Sequence, residues 1–433
     1  MAGARILLVT VGSLGDLHPY LALGRGLKAR GHSVAIATFR HYGPRVEAEG
    51  LEFHPTRPDV DPSDPAELRR AMDKRKGPEY VLRDVALGHL RDSFEDQRAA
   101  ARDADLIVTH PVAFAAQLLA RASKRPWASV ALSPVSLFSV TDPPVFSGLP
   151  FEEWLAGRGP AVQRGLLRIA DSGLSRWLAP YRALESELGL APGLNPILRG
   201  QHSPHLVLGL FSPLLGAPQA DWPPNTLATG FPFPDTADAA APEVRRFLEA
   251  GEPPIVFTLG SAAVGRAGDF YEHSARAAIQ LGKRALLLVG RDPANVPRRP
   301  LPATLLAVPY ASHAAVFPGA AAVVHQGGVG TTGEAMRAGR PMLVVPHSQD
   351  QPDHARRLKR LGVARSIPAE RYDAQRARRA LADLLARPEY AERAMAVAAR
   401  VRAETGVATA CDAIDRLLAG DVPLSPASAR ASA

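Results

Sequence analysis

The sequence predicts an α/β protein made of two doubly wound domains that face each other across a central cleft. Two segments, Ala4–Thr38 and Pro253–Gly290, repeat the same order of apolar strand, glycine-containing loop, amphipathic helix, glycine stop and second strand. Continuous apolar strands that alternate with helices indicate parallel sheets covered on both faces. A chain of 433 residues is also longer than one hydrophobic core normally supports. Each segment is therefore expected to open its own domain.

The remaining elements extend this pattern along the chain. In the first half, Gly31 ends the first helix, LIVTH and WASVALS predict two further buried strands, and residues 142–200 are mostly helical. In the second half, ATLLAVP, AAAVVHQ and PMLVVPH predict three more strands. Helices at Glu334–Ala338 and Pro352–Leu361 follow the last two strands, and a helical stretch from Ala374 to about Leu418 completes the fold.

Four segments follow from this order of elements. Proline and glycine are dense from Ser212 to Glu243, which predicts an extended connection rather than a helix. The terminal helices are expected to pack back on the first domain, and the last residues have a low-complexity composition typical of disorder. The segments are an N-terminal domain at 1–231, a Pro-rich linker at 232–242, a C-terminal domain at 243–420 and a disordered tail at 421–433.

Composition narrows the functional classes. A net charge of +8 is compatible with nucleic-acid binding, but the arginines are scattered among acids instead of forming a stripe, so we expect an anionic small substrate and no nucleic acid. The single Cys411 excludes an internal disulfide and a cysteine metal cluster, and its apolar surroundings predict a core position.

No apolar run reaches membrane-spanning length and no signal peptide is visible. We therefore expect a cytoplasmic protein without an integral membrane segment. Its expected oligomeric state is a monomer or a weak homodimer.

A glycine-rich loop at Val323–Glu334 predicts an anion site. It contains a G-x-G-x-x-G motif, whose glycines allow close approach of the backbone to a ligand. Thr331 and Thr332 lie where a helix begins, and free N–H groups at a helix N-terminus bind phosphate. His325, at the end of the preceding strand, adds another donor. Together these groups are suited to a diphosphate.

The same motif is also found in NAD-binding domains, so an NAD(P)-dependent oxidoreductase is one alternative. The dinucleotide motif normally follows the first strand of its domain, whereas this one follows a later strand. A phosphate loop of the G-K-[ST] kind is excluded because no lysine follows the glycines. A tight turn without a ligand is a further alternative.

Asp350 and Gln351 precede another helix and place a carboxylate beside an amide. Such a pair accepts and donates hydrogen bonds in the pattern that sugar hydroxyls require. The competing interpretation is a helix N-cap, for which aspartate is a preferred residue. The diphosphate loop one strand upstream favours the sugar role.

At this point the residues resemble a known family. The stretch His325–Ala364 is similar to the donor-binding motif of family-1 glycosyltransferases, GT-B enzymes with two Rossmann-like domains. Those enzymes transfer a sugar from a nucleotide diphosphate to a small lipophilic alcohol or phenol. Val11–Thr38 resembles the N-terminal motif of the bacterial branch related to sterol, macrolide and glycopeptide glycosyltransferases.

The resemblance assigns donor contacts residue by residue. Sugar contacts are implied at Asp350 and Gln351. Within the nucleotide site, the loop residues hold the diphosphate, Glu334 accepts the ribose hydroxyls, and the segment from Val308 to Tyr310 contacts the base. The implied nucleotide-diphosphate contacts are Ser261, Val308, Tyr310, His325, Gly328, Gly330, Thr331, Thr332 and Glu334.

Three positions depart from the family pattern. Ala307 corresponds to a tryptophan that stacks on uracil in plant members, so the choice between UDP and dTDP stays open. Gln326 stands where relatives often have histidine, and His354 where they often have asparagine. Both are candidates to tune the sugar pocket.

Asp16 is the predicted catalytic base. Many family members carry a histidine in the sequence G-H-x-x-P, and Asp16 occupies that position before Pro19. The alternative bases are His18 and His110, and a competing role for Asp16 is to cap the helix that starts near Pro19. A single base opposite the leaving group implies inversion. No D-x-D motif lies in a suitable loop, so we expect no metal and no resident cofactor.

The expected activity is that of a hexosyltransferase that uses glucose from UDP-glucose. The acceptor is expected to be a lipophilic polyketide, terpene, sterol or phenolic compound, with Phe114 and Phe138 as candidate contacts in the first domain. A dTDP-deoxysugar transferase of antibiotic biosynthesis is the alternative within the family. A non-catalytic partner protein with this fold is a further alternative, as is a UDP-sugar 2-epimerase.

Overall fold

The computed structural model describes residues 3–62, 64–145, 152–233 and 240–421. Seven strands in its first half form one sheet in which every neighbouring pair is parallel. The strands are β1 Arg5–Val9, β2 Ser33–Thr38, β3 Glu52–Pro55, β4 Leu106–Thr109, β5 Trp127–Ala131, β6 Leu206–Gly209 and β7 Thr226–Ala228. Their order across the sheet is β3-β2-β1-β4-β5-β6-β7.

Six strands in the second half form another parallel sheet. They are β8 Ile255–Thr258, β9 Ala285–Leu288, β10 Leu305–Val308, β11 Ala322–His325, β12 Met342–Val344 and β13 Ala364–Ser366. The order is β10-β9-β8-β11-β12-β13, so both sheets change winding direction beside their first strand. Ligands of such sheets bind at the carboxyl ends of the strands near that point. The prediction of two doubly wound sheets is confirmed.

Helices cover both faces of each sheet. In the first half they are α1 Leu14–Ala29, α2 Gly43–Ala48, α3 Pro65–Ala71, α4 Gly77–Glu79, α5 Leu90–Ala100, α6 Phe114–Ser123, α7 Glu152–Ala156, α8 Pro160–Ser175 and α9 Ala179–Glu187, with a π-helix at Tyr80–Leu87. In the second half they are α10 Pro242–Glu249, α11 Gly260–Ala263, α12 Phe270–Gln280, α13 His313–Val316, α14 Val329–Ala338, α15 Gln351–Arg360, α16 Ala374–Ala386, α17 Pro388–Arg402 and α18 Gly406–Leu418. Short 3-10 turns connect several of these elements.

Two element predictions differ from the structure. Helix α14, which was expected to begin at Thr331 and Thr332, already begins at Val329. Strand β7 lies inside the Pro-rich stretch, where it pairs with β6 as an edge strand. Much of the predicted linker at 232–242 and all but Asp421 of the predicted tail at 421–433 lie outside the described residues, so these boundaries stay predictions.

Helix α18 packs against α1 of the first half. Cys411 and Ile414 are completely buried in the same apolar cluster as Ile6, which agrees with the core position predicted for the cysteine. The two helices approach closely at Gly26, where an added Cβ would lie 2.6 Å from a methyl group of Val407. The core of the first sheet is thus completed by a helix that follows the second sheet in the chain.

A buried ion-pair network joins helix α15 to the loop that follows β5. The guanidinium of Arg357 is 2% exposed and binds both Asp353 and Asp142, with 2.6 Å between its Nε and Asp353 Oδ2. Asp353 is fully buried and also accepts the N–H of Val145 at 3.1 Å. Because Asp142 and Val145 belong to the first half of the chain, this network holds the two halves together.

Over the described ranges, no helix is both long and apolar enough to cross a membrane.

We expect Arg357→Met to lower the free energy of unfolding by about 3–5 kcal/mol, because it leaves buried carboxylates without their counter-charge. Denaturant titration followed by tryptophan fluorescence measures this effect. Arg360→Met is the matched control: Arg360 also pairs with Asp142 at 2.8 Å but is 49% exposed, so its loss should cost less than about 1 kcal/mol. Equal effects of the two substitutions would contradict the role given to Arg357.

Candidate active site

The carboxyl ends of the two sheets carry the polar side chains that line the cleft. In the first half, β1 leads into α1, which contains Asp16, and His110 follows β4 directly. In the second half, β8 leads into α11, and β11 ends at His325 immediately before the glycine loop and α14. Helices α1 and α11 are in contact, so the two edges lie close together.

His325 presents a buried donor at the end of β11. Its Nδ1 accepts the N–H of Gly327 at 3.1 Å, so the neutral ring carries its proton on Nε2. Burial, with smaller contributions from His313 and His354, lowers the pKa of His325 to about 3. The ring is therefore neutral at pH 7, and within the described part of the chain its Nε2–H has no hydrogen-bond partner. A buried donor in this state needs an acceptor from a ligand or from water.

The first turn of α14 adds further groups to the same place. The hydroxyl of Thr332 is completely buried and has no partner among the described residues, and Thr331 is 7% exposed beside it. No described atom lies within 4 Å of a Cβ built on Gly330, so this position faces open space. The free N–H groups at this helix N-terminus favour an anion.

The glycines of the loop differ in backbone conformation and in surroundings. The left-handed backbone occurs at Gly327, with φ of +94°, and not at Gly328, which is the N-cap of α14. A Cβ on Gly328 would lie 2.7 Å from Nε2 of Gln326, so the missing side chain leaves room for that amide. Gln326 is 4% exposed and lies under the loop, whereas Gly330 provides space for a ligand.

The remaining nucleotide positions surround this loop. Ser261 is exposed in α11, the first helix after β8, and so belongs to the same edge. Val308 is buried at the end of β10, and Tyr310 is 71% exposed two residues later. His313 stacks on Phe317 with 4.6 Å between ring centroids, and burial lowers the pKa of His313 to about 4. This segment forms the outer wall of the site.

Glu334 lies on the second turn of α14 and is engaged within its own helix. Its Oε2 binds the Arg337 guanidinium at 2.8 Å, while burial raises the pKa of Glu334. The side chain is 15% exposed. A ribose at this position would have to share the carboxylate with Arg337.

Asp350 and Gln351 lie at the start of α15. Asp350 is the N-cap residue by position, but its side chain makes no capping hydrogen bond, so capping does not explain it. Burial raises the pKa of Asp350, while the neighbouring His354 lowers it and the Asp16 carboxylate raises it. The Oε1 of Gln351 accepts the N–H groups of His347 and Ser348 at 2.8 and 3.3 Å. Its amide nitrogen has no partner in the described ranges.

Asp16 and His110 form a hydrogen-bonded pair on the opposite wall. Ser13, not Asp16, is the N-cap of α1, and Asp16 completes the capping box by accepting the Ser13 N–H at 2.7 Å. The helix therefore starts earlier than predicted, with Pro19 inside it. The N–H of Val112 donates to His110 Nδ1, which leaves Nε2–H of the neutral ring facing Asp16 Oδ1 at 3.3 Å. The Asp16 side chain is still 31% exposed.

Three other candidates lie apart from this pair. His18 is exposed on α1, within electrostatic range of His313 in the nucleotide segment. Phe114 is 1% exposed and packs edge-on against Tyr181, a core position that leaves no surface for an acceptor and does not support the predicted contact. Phe138 is 8% exposed, with φ of +49° at the end of a 3-10 turn.

His354 connects the halves and also lies beside the proposed sugar site, with its Nδ1 3.7 Å from Asp350 Oδ2. It is completely buried; its Nδ1–H donates to the Gly327 carbonyl at 2.7 Å, and its Nε2 faces the Ser133 hydroxyl at 2.8 Å. Neither Ser133 nor Gly327 was identified from the sequence. A histidine in the first turn of a helix gives no local signal of partners this distant in the chain.

Comparisons with known proteins agree with this architecture. Residues 6–121 match the glycosyltransferase family 28 N-terminal domain, and residues 292–414 match the erythromycin biosynthesis protein CIII-like C-terminal domain. The chain is 35% identical to O-mycaminosyltylonolide 6-deoxyallosyltransferase of Streptomyces fradiae over 95% of this chain and 97% of that enzyme.

Two further comparisons extend the likeness. Sterol 3-beta-glucosyltransferase of Aspergillus fumigatus is 28% identical over 98% of this chain, which spans 31% of that enzyme's length. The crystal structure of the kitacinnamycin glycotransferase superposes with a TM-score of 0.73 at 25% identity, covering 98% of this chain and all of that one. An oxidoreductase is thereby excluded. The chain belongs to the family-1 glycosyltransferases and has their GT-B fold, as its sequence predicted.

Proposed function

We propose that this glycosyltransferase inverts the sugar configuration, needs no metal, and transfers a hexose from a nucleoside diphosphate to a hydroxyl of a lipophilic small molecule. The observation that carries the proposal is the pair of buried, unsatisfied groups at the start of α14, His325 Nε2–H and the Thr332 hydroxyl. They lie at a helix N-terminus, where an anion is favoured. The proposed base, Asp16, lies on the opposite wall.

The diphosphate is held and then released by the second half of the protein. Its oxygens accept from His325 Nε2–H, from Thr331 and Thr332, and from the free backbone N–H groups of α14. These donors are fixed before the reaction, so they stabilise the charge that develops on the leaving diphosphate without reorganisation. A neutral His325 suits this task because it donates one hydrogen bond without requiring a buried positive charge.

Asp16 removes the proton of the acceptor hydroxyl as that oxygen attacks the anomeric carbon. Carboxylates are weak bases, so we propose that proton transfer accompanies bond formation. The Nε2–H of His110 holds Asp16 Oδ1 in place and stabilises the carboxylate before transfer. Attack from the face opposite the diphosphate gives inversion, so an α-linked donor yields a β-glycoside.

The sugar and nucleotide are proposed more narrowly from the relatives. The relative at 35% identity is named for transfer of 6-deoxyallose, and the sterol enzyme at 28% for transfer of glucose. The higher identity over nearly full length favours a 6-deoxyhexose donor, as in the dTDP-deoxysugar alternative. UDP-glucose, which was expected from the hydroxyl-binding pair Asp350–Gln351, is the second candidate. The pair does not discriminate between the two donors, because a 6-deoxyhexose keeps the ring hydroxyls that this pair binds.

The acceptor is proposed to be a natural product or sterol with a free hydroxyl. Both relatives are named for the transfer of sugar to compounds of this kind, a substituted tylonolide and a sterol. The cleft beside Asp16 belongs to the first half, which makes that half the acceptor side.

Asp16→Asn should lower kcat about 10²- to 10⁴-fold, because the amide cannot accept the acceptor proton. Binding of the nucleoside diphosphate, which contacts the other half, should stay within twofold of wild type. His110→Ala should lower kcat less, by about tenfold, and His18→Ala should have little effect. If His18→Ala is the more damaging change, or Asp16→Asn retains most of its activity, the base is assigned wrongly.

Activity should survive exhaustive dialysis against EDTA, since the helix N-terminus, the Thr332 hydroxyl and the His325 N–H serve the leaving diphosphate. Initial rates are measured before dialysis, after it, and after Mg²⁺ or Mn²⁺ is returned. A strict requirement for either ion is incompatible with the proposed mechanism.

Thermal-shift titration with UDP, dTDP and their hexose conjugates identifies the donor, because a ligand that binds only the folded state raises its melting temperature. At about 100 times the Kd, the stabilisation is about 2.7 kcal/mol. The true donor should give the largest shift, His325→Ala should remove most of it, and NAD should give none. An unchanged shift in His325→Ala would show that the diphosphate binds elsewhere.

A further inference from the structure

A segment of the first half reaches across the cleft edge to the second half. This segment, here called the strap, comprises residues 65–76 and consists of α3 and the turn after it. Arg266 donates to the Arg69 carbonyl and binds Asp73, both at 3.2 Å. Lys74 binds Glu370 at 2.7 Å. The strap is thus fixed to the loops after both β8 and β13.

Two strap residues contact the loop that precedes α15, here called the sugar loop, Pro346–Asp350. Met72 is 5% exposed and packs within the apolar cluster of the second half, with its Sδ 3.7 Å from the Ser348 hydroxyl. The side-chain amide of Gln349 donates from Nε2 to the Ala71 carbonyl at 3.0 Å. The strap therefore holds the loop that carries Asp350.

Gln349 has a demanding backbone conformation. Its φ of +58° lies in the left-handed region, which costs free energy for a residue with a Cβ. Such a conformation persists only where the surroundings impose it. The bond to Ala71 is one restraint, and the hydrogen bonds from His347 and Ser348 to Gln351 Oε1 are the others.

Packing around the sugar loop is uneven, since Ser348 is completely buried whereas His347 faces an open volume. A cavity of about 370 Å³ lies between the strap and the second half, lined by Met72, Lys74, Arg266, His347 and Glu370 among others. At Gln349 itself, the hydrogen bond to Ala71 is the side-chain contact with the strap. Loss of that bond allows the loop to move.

We propose that the strap sets the conformation of the sugar loop through Gln349, which makes Gln349 a positioning residue for recognition of the transferred sugar. This inference rests on the proposed roles of Asp350 and Gln351. The sugar subsite is then completed by the acceptor half, while the diphosphate site at His325 and α14 is complete without the strap.

The test compares the nucleotide alone with the nucleotide sugar on the full-length protein. Gln349→Asn tolerates the left-handed backbone but is too short to reach Ala71, and Gln349→Glu keeps the length but has no N–H. Gln349→Lys keeps a donor long enough to reach the carbonyl and serves as the rescue variant. Affinities are measured by calorimetry for UDP with UDP-glucose and for dTDP with dTDP-glucose, using the pair that wild type binds more tightly.

Loss of one hydrogen bond should weaken nucleotide-sugar binding about three- to tenfold in Gln349→Asn and Gln349→Glu. Binding of the bare nucleoside diphosphate should stay within twofold of wild type, and Gln349→Lys should recover most of the sugar-dependent affinity.

Equal nucleotide-sugar affinity in wild type and both defective variants would overturn the role of Gln349. A parallel loss of affinity for the bare diphosphate would also overturn it, because the effect would then be a general disturbance of the fold. Failure of wild type itself to bind either bare nucleoside diphosphate would reject the proposed function, and this role with it.

Discussion

The buried network around Arg357 fixes the distance between two walls that belong to different halves of the chain. Asp16 lies in α1 of the first half, and Asp350 lies at the start of α15 in the second half. Arg357 links these two halves by satisfying Asp353 on its own helix and Asp142 on the other half. Separating a buried ion pair costs free energy, because each charge then stays in a low-dielectric interior without its counter-charge. The arrangement of the proposed catalytic and sugar-binding residues therefore depends on an interaction outside the proposed site.

Burial keeps His325 neutral, so its ring N–H is a hydrogen-bond donor without a positive charge. A cationic group would attract a diphosphate more strongly, but a permanent charge in this position would be costly whenever the site is empty. His325 avoids that cost because its low pKa keeps the ring neutral while the Gly327 N–H fixes the tautomer. Charge stabilisation is left to the backbone dipoles of α14, which are permanent and need no proton.

Much of the fold followed from the sequence because it depends on local pattern. Apolar runs of strand length, separated by amphipathic helices and glycine stops, are enough to predict two parallel sheets. The glycine loop and Asp350–Gln351 were found because their chemistry is concentrated in short segments. Contacts between distant segments were not predictable: the burial of Phe114 and the bonds of His354 depend on which surfaces the fold brings together. The left-handed glycine, Gly327, was not singled out, because a run of glycines does not reveal which one takes that conformation.

Helix α18 has a consequence for making hybrid enzymes. Because Cys411 and Ile414 fill the core beneath β1, the structural unit built on the first sheet is not a continuous piece of chain. An exchange of halves between relatives at the Pro-rich connection would join α1 of one parent to α18 of the other, at a contact so close that Gly26 has no room for a methyl group. A hybrid that takes α18 from the same parent as α1 keeps that contact intact. Such a hybrid needs two junctions between the parental sequences, although the linear order of domains indicates only one.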